Sequence, residues 1–488
     1  MLFNSIEFAI FLPVVFLLYW FVFGRNLRLQ NLFVVVASYV FYGWWDWRFL
    51  LLIAFTSLCS WGSGMLMANL SDRGEQVGAD EVIKKKRKAV AAANIIVNLL
   101  ILCIFKYYDF FVSEFARLFH ITSEGLLLKV ILPVGISFYT FQALSYSIDV
   151  YRGKIEPTKD IIAFFAYVSF FPQLVAGPIE RATNLLPQFE RKRTFDYDTA
   201  VDGCRQILWG LFKKMVVADN CAVYVDQVFS SYQTHSGSTL LLAAVLFTFQ
   251  IYGDFSGYSD IAIGTAKLFG IRLMRNFNVP YFSRDIAEFW RRWHISLTTW
   301  FRDYVYIPLG GSRCSKAKVF RNTFIIFLVS GLWHGANWTF LAWGAYHAVL
   351  FLPLILTRKN RKYRDVVAAN RVLPTFKECG QMLLTFLLVV IGWILFRSES
   401  IGQAWGYVET MMDSSLFSVP WIYSATYMLP MPLIIFTLLI VEWGVRRNES
   451  GLFHFTNSRM LRWSVYIVVV AMIFAFGINA ESFIYFQF

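Results

Sequence analysis

Long apolar runs separated by short polar segments make up most of this chain. The clearest runs are Ile6–Phe23, Phe33–Trp44, Phe49–Leu66, Ala89–Phe105, Leu240–Tyr252, Phe324–Trp338, Tyr346–Leu356, Met382–Leu395, Tyr427–Val441 and Val465–Phe476. A helix needs about 20 residues to cross the hydrocarbon core of a bilayer, so flanking aromatic residues must complete the shorter runs. The runs are continuous and do not alternate every second residue, which favours helices over a barrel. They predict an all-α, polytopic integral membrane protein with about ten to twelve transmembrane helices.

Composition supports this prediction. Of the 488 residues, 57% are hydrophobic and 16% are charged, whereas soluble domains carry about 25% charged residues. A chain this apolar needs lipid as part of its surroundings.

The basic residues predict an orientation. Lys and Arg number 45 against 32 Asp and Glu, an excess that in a membrane protein reflects cytoplasmic loops and gives no reason to expect nucleic acid. We interpret residues 71–88, which contain the run Lys84–Lys88, as a cytoplasmic basic loop. Arg25 and Arg28 then lie on the same side, two crossings earlier, and the N-terminus faces outward. Glu7 and the lack of a cleavage pattern indicate that the first apolar run is a retained helix.

No linker or repeat divides the chain, so residues 1–488 are expected to form a single membrane domain. Its six cysteines are scattered without a C-x-x-C pair and predict neither a metal site nor a disulfide framework. The polar region 253–345 differs from the rest, because it mixes aromatic, charged and glycine residues. Such a mixture is typical of amphipathic or re-entrant helices that line a cavity.

The six histidines fall into three groups. His120, His235 and His454 lie in short polar segments and are expected in loops. His347 opens an apolar run and is expected to be a helix-packing or interfacial residue. The other two histidines each follow a tryptophan within the polar region, as the pairs Trp293-His294 and Trp333-His334.

His334 lies in an apolar segment, where an ionisable side chain is costly and is a functional candidate by default. Gly331 and Gly335 are spaced i,i+4, and on a helix they would let another helix or an acyl chain approach the imidazole. A histidine that only hydrogen-bonds a neighbouring helix is an equally open interpretation.

His294 follows a run of charged and aromatic residues. Helical spacing would place Trp290 on the His294 face, and the cations Arg291 and Arg292 would favour neutral imidazole, the form that a general base requires. A structural histidine in a cation-rich amphipathic helix remains the alternative.

Two carboxylates, Asp254 and Asp260, bracket a Gly and Ser segment directly after an apolar run. They could form a polar cavity wall, or Ser256 and Asp260 could cap helix ends. The signatures of serine hydrolases, P-loop ATPases, zinc proteases and dinucleotide enzymes are absent from the chain. A histidine base is therefore the most available catalyst.

Seven ordered segments resemble the membrane-bound O-acyltransferase family, in its bacterial alginate O-acetyltransferase-like branch. They are Leu132–Gln142, Phe171–Ile179, Trp209–Lys214, Asp254–Asp260, Phe289–Leu297, Tyr306–Ser312 and Leu332–Trp338. The resemblance covers nearly the whole chain.

The resemblance implies a ring of transmembrane helices around a thinned centre, with His334 as the catalytic residue and His294 at a second polar position. The expected supporting residues are Trp293, Trp333, Asn337, Arg291, Arg292, Asp254 and Asp260, and no metal is expected. Some of these would donate hydrogen bonds to the developing oxyanion.

The implied activity is movement of an acyl group, expected to be acetyl, from a cytoplasmic thioester across the membrane for O-acetylation of an exported polysaccharide. The donor would be acetyl-CoA or acyl carrier protein as substrate, with no bound cofactor. The implied setting is the lipid of the bacterial cytoplasmic membrane, alongside an extracytoplasmic acyltransferase and a polysaccharide synthase.

Two alternatives stay open at this point. One is a D-alanyl transferase for teichoic acid, the sister branch of the same family. The other is a non-catalytic acyl-group transporter, suggested by the helix interruptions near Pro133, Gly135, Pro172 and Gly177, since broken helices also mark transporter binding sites.

Overall fold

The structure is a computed structural model that describes residues 1–77, 80–422, 429–447, 458–477 and 483–484. All regular secondary structure in these ranges is helical, with no strand among them, which confirms the predicted all-α class. The helices of the first half are α1 (Ile6–Leu17), α2 (Leu27–Gly43), α3 (Leu50–Val77), α4 (Asp80–Lys106), α5 (Tyr108–Leu118), α6 (Ile136–Tyr151), α7 (Ile161–Ser169), α8 (Phe171–Leu174), α9 (Ala182–Phe189) and α10 (Tyr197–Leu211).

The second half continues in the same way. Its helices are α11 (Asp219–Ser230), α12 (Gly237–Leu268), α13 (Ile286–Arg292), α14 (Ile295–Phe301), α15 (Lys316–His334), α16 (Trp338–Leu356), α17 (Phe376–Arg397), α18 (Ile401–Met411), α19 (Met431–Val445) and α20 (Arg459–Phe476). Wider π-helical turns occupy Leu18–Val22, Phe212–Ala218 and Arg302–Tyr306. Such turns are rare and often occur at functional sites.

Six of the described helical segments are long and apolar enough to cross a membrane. They are Trp47–Ser71, Glu81–Lys106, Gly237–Leu268, Trp338–Leu356, Phe376–Arg397 and Arg459–Phe476. Two further apolar helices, Ile6–Val22 and Met431–Val445, are shorter. Several apolar helices are thus present, while the full count of ten to twelve and the ring arrangement stay predictions.

Helices of similar hydropathy differ widely in the buried fraction of their residues. The most apolar stretch of α12 is 83% buried, whereas that of α20 is 6% buried. An apolar helix whose side chains face outward needs lipid around it. The helix α12 is therefore a core element, and α20 is a lipid-facing one.

The predicted loop at residues 71–88 is wrong in its secondary structure. Residues 71–77 continue α3 and residues 80–88 begin α4. Lys, Arg and Glu have high helix propensity, so a charged segment can extend a helix beyond the apolar region. Glu81 and Lys85 form an i,i+4 ion pair at 3.1 Å that supports this extension.

The described chain divides into two compact units. One comprises Met1–Gly203 with Ala262–Met274, and the other comprises Cys204–Ile261 with Arg275–Phe488. We call them the first and second units. The single domain proposed from the sequence stays a prediction.

In the first unit, the interruption at Gly135 has a steric cause. Gly135 precedes α6 with a φ of +75°, a left-handed conformation that favours glycine. A Cβ there would lie 2.6 Å from the Leu174 carbonyl oxygen and 3.2 Å from Val175 Cα. The turn before α6 therefore packs directly on the short helix α8 and the residue after it.

Replacing Gly135 with Ala should lower the thermal stability of the protein, because the added Cβ meets backbone atoms. Gly153, just beyond the other end of α6, is the matched control: its φ is +67° and nothing lies within 4 Å of its added Cβ. Gly153→Ala should cost about 1 kcal/mol for the left-handed backbone alone. Unfolding temperatures of the two variants in detergent check this, and equal losses would contradict the packing argument.

Candidate active site

A cavity of about 530 Å³ lies within the second unit and contains both histidines of the Trp-His pairs in its lining. One face of α15 forms a wall of it, through Thr323, Ile326, Phe327, Ser330 and His334. These positions recur every three or four residues, which is the spacing of a single helical face. Between Thr323 and His334 the helix rises by about 16 Å, so the cavity is deep.

His334 is the last residue of α15 and is buried. Its ring centroid lies 5.2 Å from that of Trp343 and 5.2 Å from that of Phe396, both in edge-to-face geometry. The imidazole is therefore held in an aromatic enclosure at the deep end of the cavity, where water is largely excluded.

Gly331 and Gly335 allow a neighbouring helix to approach α15 closely, and that helix is α16. A Cβ on Gly331 would lie 2.2 Å from the Phe340 carbonyl oxygen, and one on Gly335 would lie 2.2 Å from the Phe340 ring. The two glycines therefore let α15 and α16 pack tightly as consecutive helices. They leave no space at that face for an acyl chain.

His294 lies between α13 and α14 with φ +43° and ψ +56°. The predicted continuous helix is thus broken here, and α13 ends at Arg292. Trp290 consequently contacts His347 at 5.0 Å between ring centroids and does not form the expected stack on His294. A left-handed backbone is uncommon for a residue other than glycine, and such strain is often found at functional sites.

The His294 side chain is almost fully buried, with 1% of its surface exposed. Its Nδ1 lies 3.0 Å from Asn276 Oδ1, and the Phe255 ring packs edge-on at 4.6 Å. Burial lowers the pKa of His294 to about 3, without a contribution from a neighbouring cation. Desolvation, and not the adjacent arginines, therefore favours the neutral imidazole.

Trp333 lies between the two histidines. Its ring centroid is 5.8 Å from that of His294 and 4.9 Å from that of His334. Trp293 lines the same cavity and packs against Trp393 at 4.9 Å. The two Trp-His pairs, separated by 40 positions in the sequence, thus form one buried site.

The other end of the cavity is polar and exposed. Arg291, Arg302 and Arg361 line it together with Ser312 and Asn360, and all three arginines are exposed. Arg302 pairs with Asp303 at 2.6 Å, whereas Arg361 donates to Ser312 Oγ at 3.4 Å. We call this exposed set the arginine mouth.

Asp254 and Asp260 do not line the cavity. Asp254 pairs with Lys214 at 2.8 Å and accepts a hydrogen bond from the Ile484 backbone N–H at 2.6 Å. Asp260 pairs with Lys213 at 2.5 Å. Both carboxylates lie inside α12, so the expectation that Asp260 and Ser256 cap helix ends is wrong.

Arg292 and Asn337 also lie outside the cavity lining. Arg292 forms an ion pair with Glu288 at 2.8 Å. Asn337 caps α16 by accepting from the Thr339 N–H at 3.0 Å and donates to the Glu399 carbonyl at 2.9 Å. Their side chains stabilise the helices that carry the site.

The remaining histidines behave largely as expected. His347 is buried between Trp290 and Trp343, which confirms a packing role. His120 is exposed in a turn, and His235 lies between helices, 3.2 Å from Ser231 Oγ. His454 lies outside the described residues.

Four residues at or beside the cavity were not predicted from the sequence: Asn276, Ser330, Thr323 and Arg361. Arg361 could have been predicted, because it belongs to a basic segment between two apolar runs. Asn276 and the two hydroxyl residues carry no local signal, since their positions depend on packing between distant segments.

The fold defines the class: a polytopic helical membrane protein, here with two buried histidines in the lining of one cavity. Residues 155–377 match the family model described as MBOAT, membrane-bound O-acyltransferase family. This region includes every residue of the cavity lining.

Full-length relatives extend the match. The chain is 42% identical over 418 residues to the probable alginate O-acetylase AlgI of Pseudomonas aeruginosa, covering 85% of this chain and 75% of that protein. It is 29% identical to the peptidoglycan O-acetyltransferase of Helicobacter pylori, over 100% of this chain and 98% of that protein. A teichoic acid D-alanyltransferase of Bacillus subtilis is 27% identical over 54% of this chain and 69% of that protein. The chain belongs to the membrane-bound O-acyltransferase family and is an acyltransferase.

Replacing Asn337 with Ala should lower stability by about 1 kcal/mol through loss of the helix cap. The activity of each folded molecule should be kept, because the side chain does not line the cavity. Asn337→Asp retains the capping acceptor and serves as the matched control. Thermal unfolding and acyltransfer measured on the same preparation separate the two effects, and lost activity at unchanged stability would show a substrate contact instead.

Proposed function

We propose that this protein moves an acetyl group from a cytoplasmic thioester across the membrane for O-acetylation of an exported polysaccharide, with His334 as the principal catalyst and His294 as its partner. The observation that carries the proposal is a single deep cavity with both histidines at its buried end and arginines at its exposed end. The names of the relatives, which acetylate alginate or peptidoglycan, support acetyl transfer to a polysaccharide.

The chemistry needs one proton acceptor at the point of bond formation. His334 removes the proton from the acceptor hydroxyl as its oxygen attacks the thioester carbonyl carbon. A carbon–oxygen bond forms, the carbon–sulfur bond breaks, and the departing thiolate takes the proton from the imidazolium to become a thiol. The aromatic enclosure favours this step, because excluding water strengthens every electrostatic interaction inside the site.

The developing oxyanion needs a hydrogen-bond donor in the cavity. Arg292 and Asn337, two candidates from the sequence, are engaged elsewhere. The Trp290 indole N–H belongs to a buried residue that lines the cavity and has no hydrogen-bond partner among the described residues. Trp290 is therefore our candidate donor.

The arginine mouth supports a donor that enters from the cytoplasm. Its segment between α16 and α17 carries Arg358, Lys359, Arg361, Lys362 and Arg364, and clustered cations favour the cytoplasmic side. Phosphate groups, which acetyl-CoA and the arm of acyl carrier protein both carry, pair well with guanidinium groups. The thioester would then extend along the α15 face toward His334.

The same orientation rule guides the remaining assignments. The basic end of α4 and the arginines around the start of α2, Arg25 and Arg28, would both be cytoplasmic, which leaves the N-terminus outside. We place the protein in the bacterial cytoplasmic membrane, working with a polysaccharide synthase and an extracytoplasmic acyltransferase. Transfer of D-alanine to teichoic acid is the less favoured candidate, because the match to that relative covers only 54% of this chain.

Replacing His334 with Ala should abolish polysaccharide acetylation, since the proton acceptor at the buried end of the cavity is lost. His235→Ala is the control, because His235 lies outside the cavity lining. Acetyl ester content of the exported polymer, measured at matched membrane levels of each variant, tests the assignment. Undiminished acetylation in the His334 variant would refute it.

Replacing Arg361 with Ala should raise the KM for the thioester donor by about 10-fold while kcat stays nearly constant, because a phosphate contact far from the reacting carbon contributes to binding alone. Arg364→Ala, in the same basic segment but outside the cavity lining, should change KM much less. Acetyl release from radiolabelled acetyl-CoA by membranes containing each variant supplies the rates. An equal effect of both substitutions would argue for general charge attraction and against a donor site at Arg361.

A further inference from the structure

The segment around Asn276 is paired with the backbone on both sides of His294. The Asn276 carbonyl accepts from the Ile295 N–H at 2.8 Å, and the Asn278 N–H donates to the Arg292 carbonyl at 2.9 Å. Through these two hydrogen bonds, one segment fixes the backbone both where α13 ends and where α14 begins. The left-handed conformation of His294 is thus stabilised by a neighbouring segment.

The Asn276 side chain completes this attachment. Its Oδ1 accepts from the Ser296 backbone N–H at 3.3 Å and from the Ser296 hydroxyl at 2.9 Å. Its Nδ2 donates to Ser259 Oγ at 3.1 Å. All four residues, including His294, are at most 2% exposed, so these groups cannot exchange partners with water.

This arrangement determines where the His294 proton resides. A backbone N–H can only donate, so the atom of Asn276 that faces Ser296 must be the oxygen. The same oxygen lies 3.0 Å from His294 Nδ1, and an amide oxygen can only accept. Nδ1 must therefore carry the hydrogen, and the lone pair is on Nε2, which has no hydrogen-bond partner among the described residues.

We propose that Asn276 is a positioning residue for acyl transfer: it holds His294 as the Nδ1–H tautomer, so that Nε2 presents its lone pair to the reaction. The inference rests on the proposed function, because a proton-accepting Nε2 matters only if His294 takes part in the transfer. Asn276 acts through His294 and itself lies outside the cavity lining.

The residues around His294 determine how strongly a new charge at position 276 would act on its imidazole. Within the described ranges, the rings of Phe255, Phe277 and Trp333 pack around the imidazole, and Asn276 and Ser296 approach Nδ1; none of these residues titrates near neutral pH. The titratable groups of the same cavity are His334, beyond Trp333, and Tyr306 with the arginines toward the mouth. A carboxylate placed at position 276 would therefore be the nearest charge to the imidazole.

The test compares Asn276→Ala, Asn276→Asp and Asn278→Ala in the full-length protein in membranes, with radiolabelled acetyl-CoA as the probe. Asn276→Ala should lower kcat by at least about 10-fold with little change in KM, as loss of an orienting partner does. Asn278→Ala is the matched control on the same segment and should resemble the wild type. Asn276→Asp keeps an acceptor for Nδ1–H and should restore most of kcat near pH 8.

The pH profile of Asn276→Asp distinguishes positioning from packing. Its carboxylate raises the pKa of His294, so Nε2 becomes protonated, and activity is lost, at a higher pH than in the wild type. The acid limb of log kcat should therefore lie at higher pH in Asn276→Asp than in the wild type. An Asn276 that only packs would give no recovery of kcat in Asn276→Asp at any pH, because the carboxylate would restore no needed contact.

The outcomes separate the inference from the proposed function. The inference alone would be overturned if the wild type is active and His334→Ala is not, and in addition one of two results is found. These results are a wild-type kcat in Asn276→Ala or an unaltered acid limb in Asn276→Asp. Absence of acetyl release from the wild type, or equal release by His334→Ala, would overturn the proposed function. Loss of kcat in Asn276→Ala, with recovery and an acid limb shifted to higher pH in Asn276→Asp, supports both.

Discussion

An apolar protein that carries ionisable groups in its interior must supply their partners itself, and most of the second unit is organised by this constraint. A buried charge or hydrogen-bonding group without a partner costs several kcal/mol, which is a large part of the stability of a typical domain. Two ion pairs provide such partners, that of Lys214 with Asp254 and that of Arg292 with Glu288. His294 is stabilised differently, because burial favours its neutral form and its hydrogen-bond partner is the neutral amide of Asn276.

The two solutions serve different ends. The pair of Lys214 and Asp254 joins two separate elements, the pair of Arg292 and Glu288 lies within α13, and none of the four residues lines the cavity. The two histidines are instead surrounded by aromatic rings, which exclude water without fixing a charge. A site that must accept and return a proton benefits from the second arrangement, because a permanent ion pair would keep the imidazole protonated.

The sequence predicted those features that depend on residue type and local spacing. Continuous apolar runs indicated the helical class, and the cost of a histidine in an apolar segment singled out His334.

Prediction failed where tertiary contacts override local pattern. The helical spacing around Trp290 and His294 looked continuous, yet pairing with the segment of Asn276 breaks the helix at that point. The ion pairs of Asp254 and Asp260 have no local signal, because their lysine partners precede them by 40 and 47 residues. The charge of the segment at 71–88 indicates a loop, whereas its Lys, Arg and Glu residues have the high helix propensity that the structure shows there.

The hydrogen bond between Asp254 and the Ile484 backbone spans 230 residues. Asp254 lies in α12, the most buried of the long apolar helices, and its partner is made long after that helix has left the ribosome. Throughout the intervening synthesis, this carboxylate must rely on Lys214 or on water that later leaves. The second unit can therefore reach its final packing only when the chain has been made at least as far as Ile484. A chain that stops before Ile484 would therefore lack this hydrogen bond to the carboxylate inside α12.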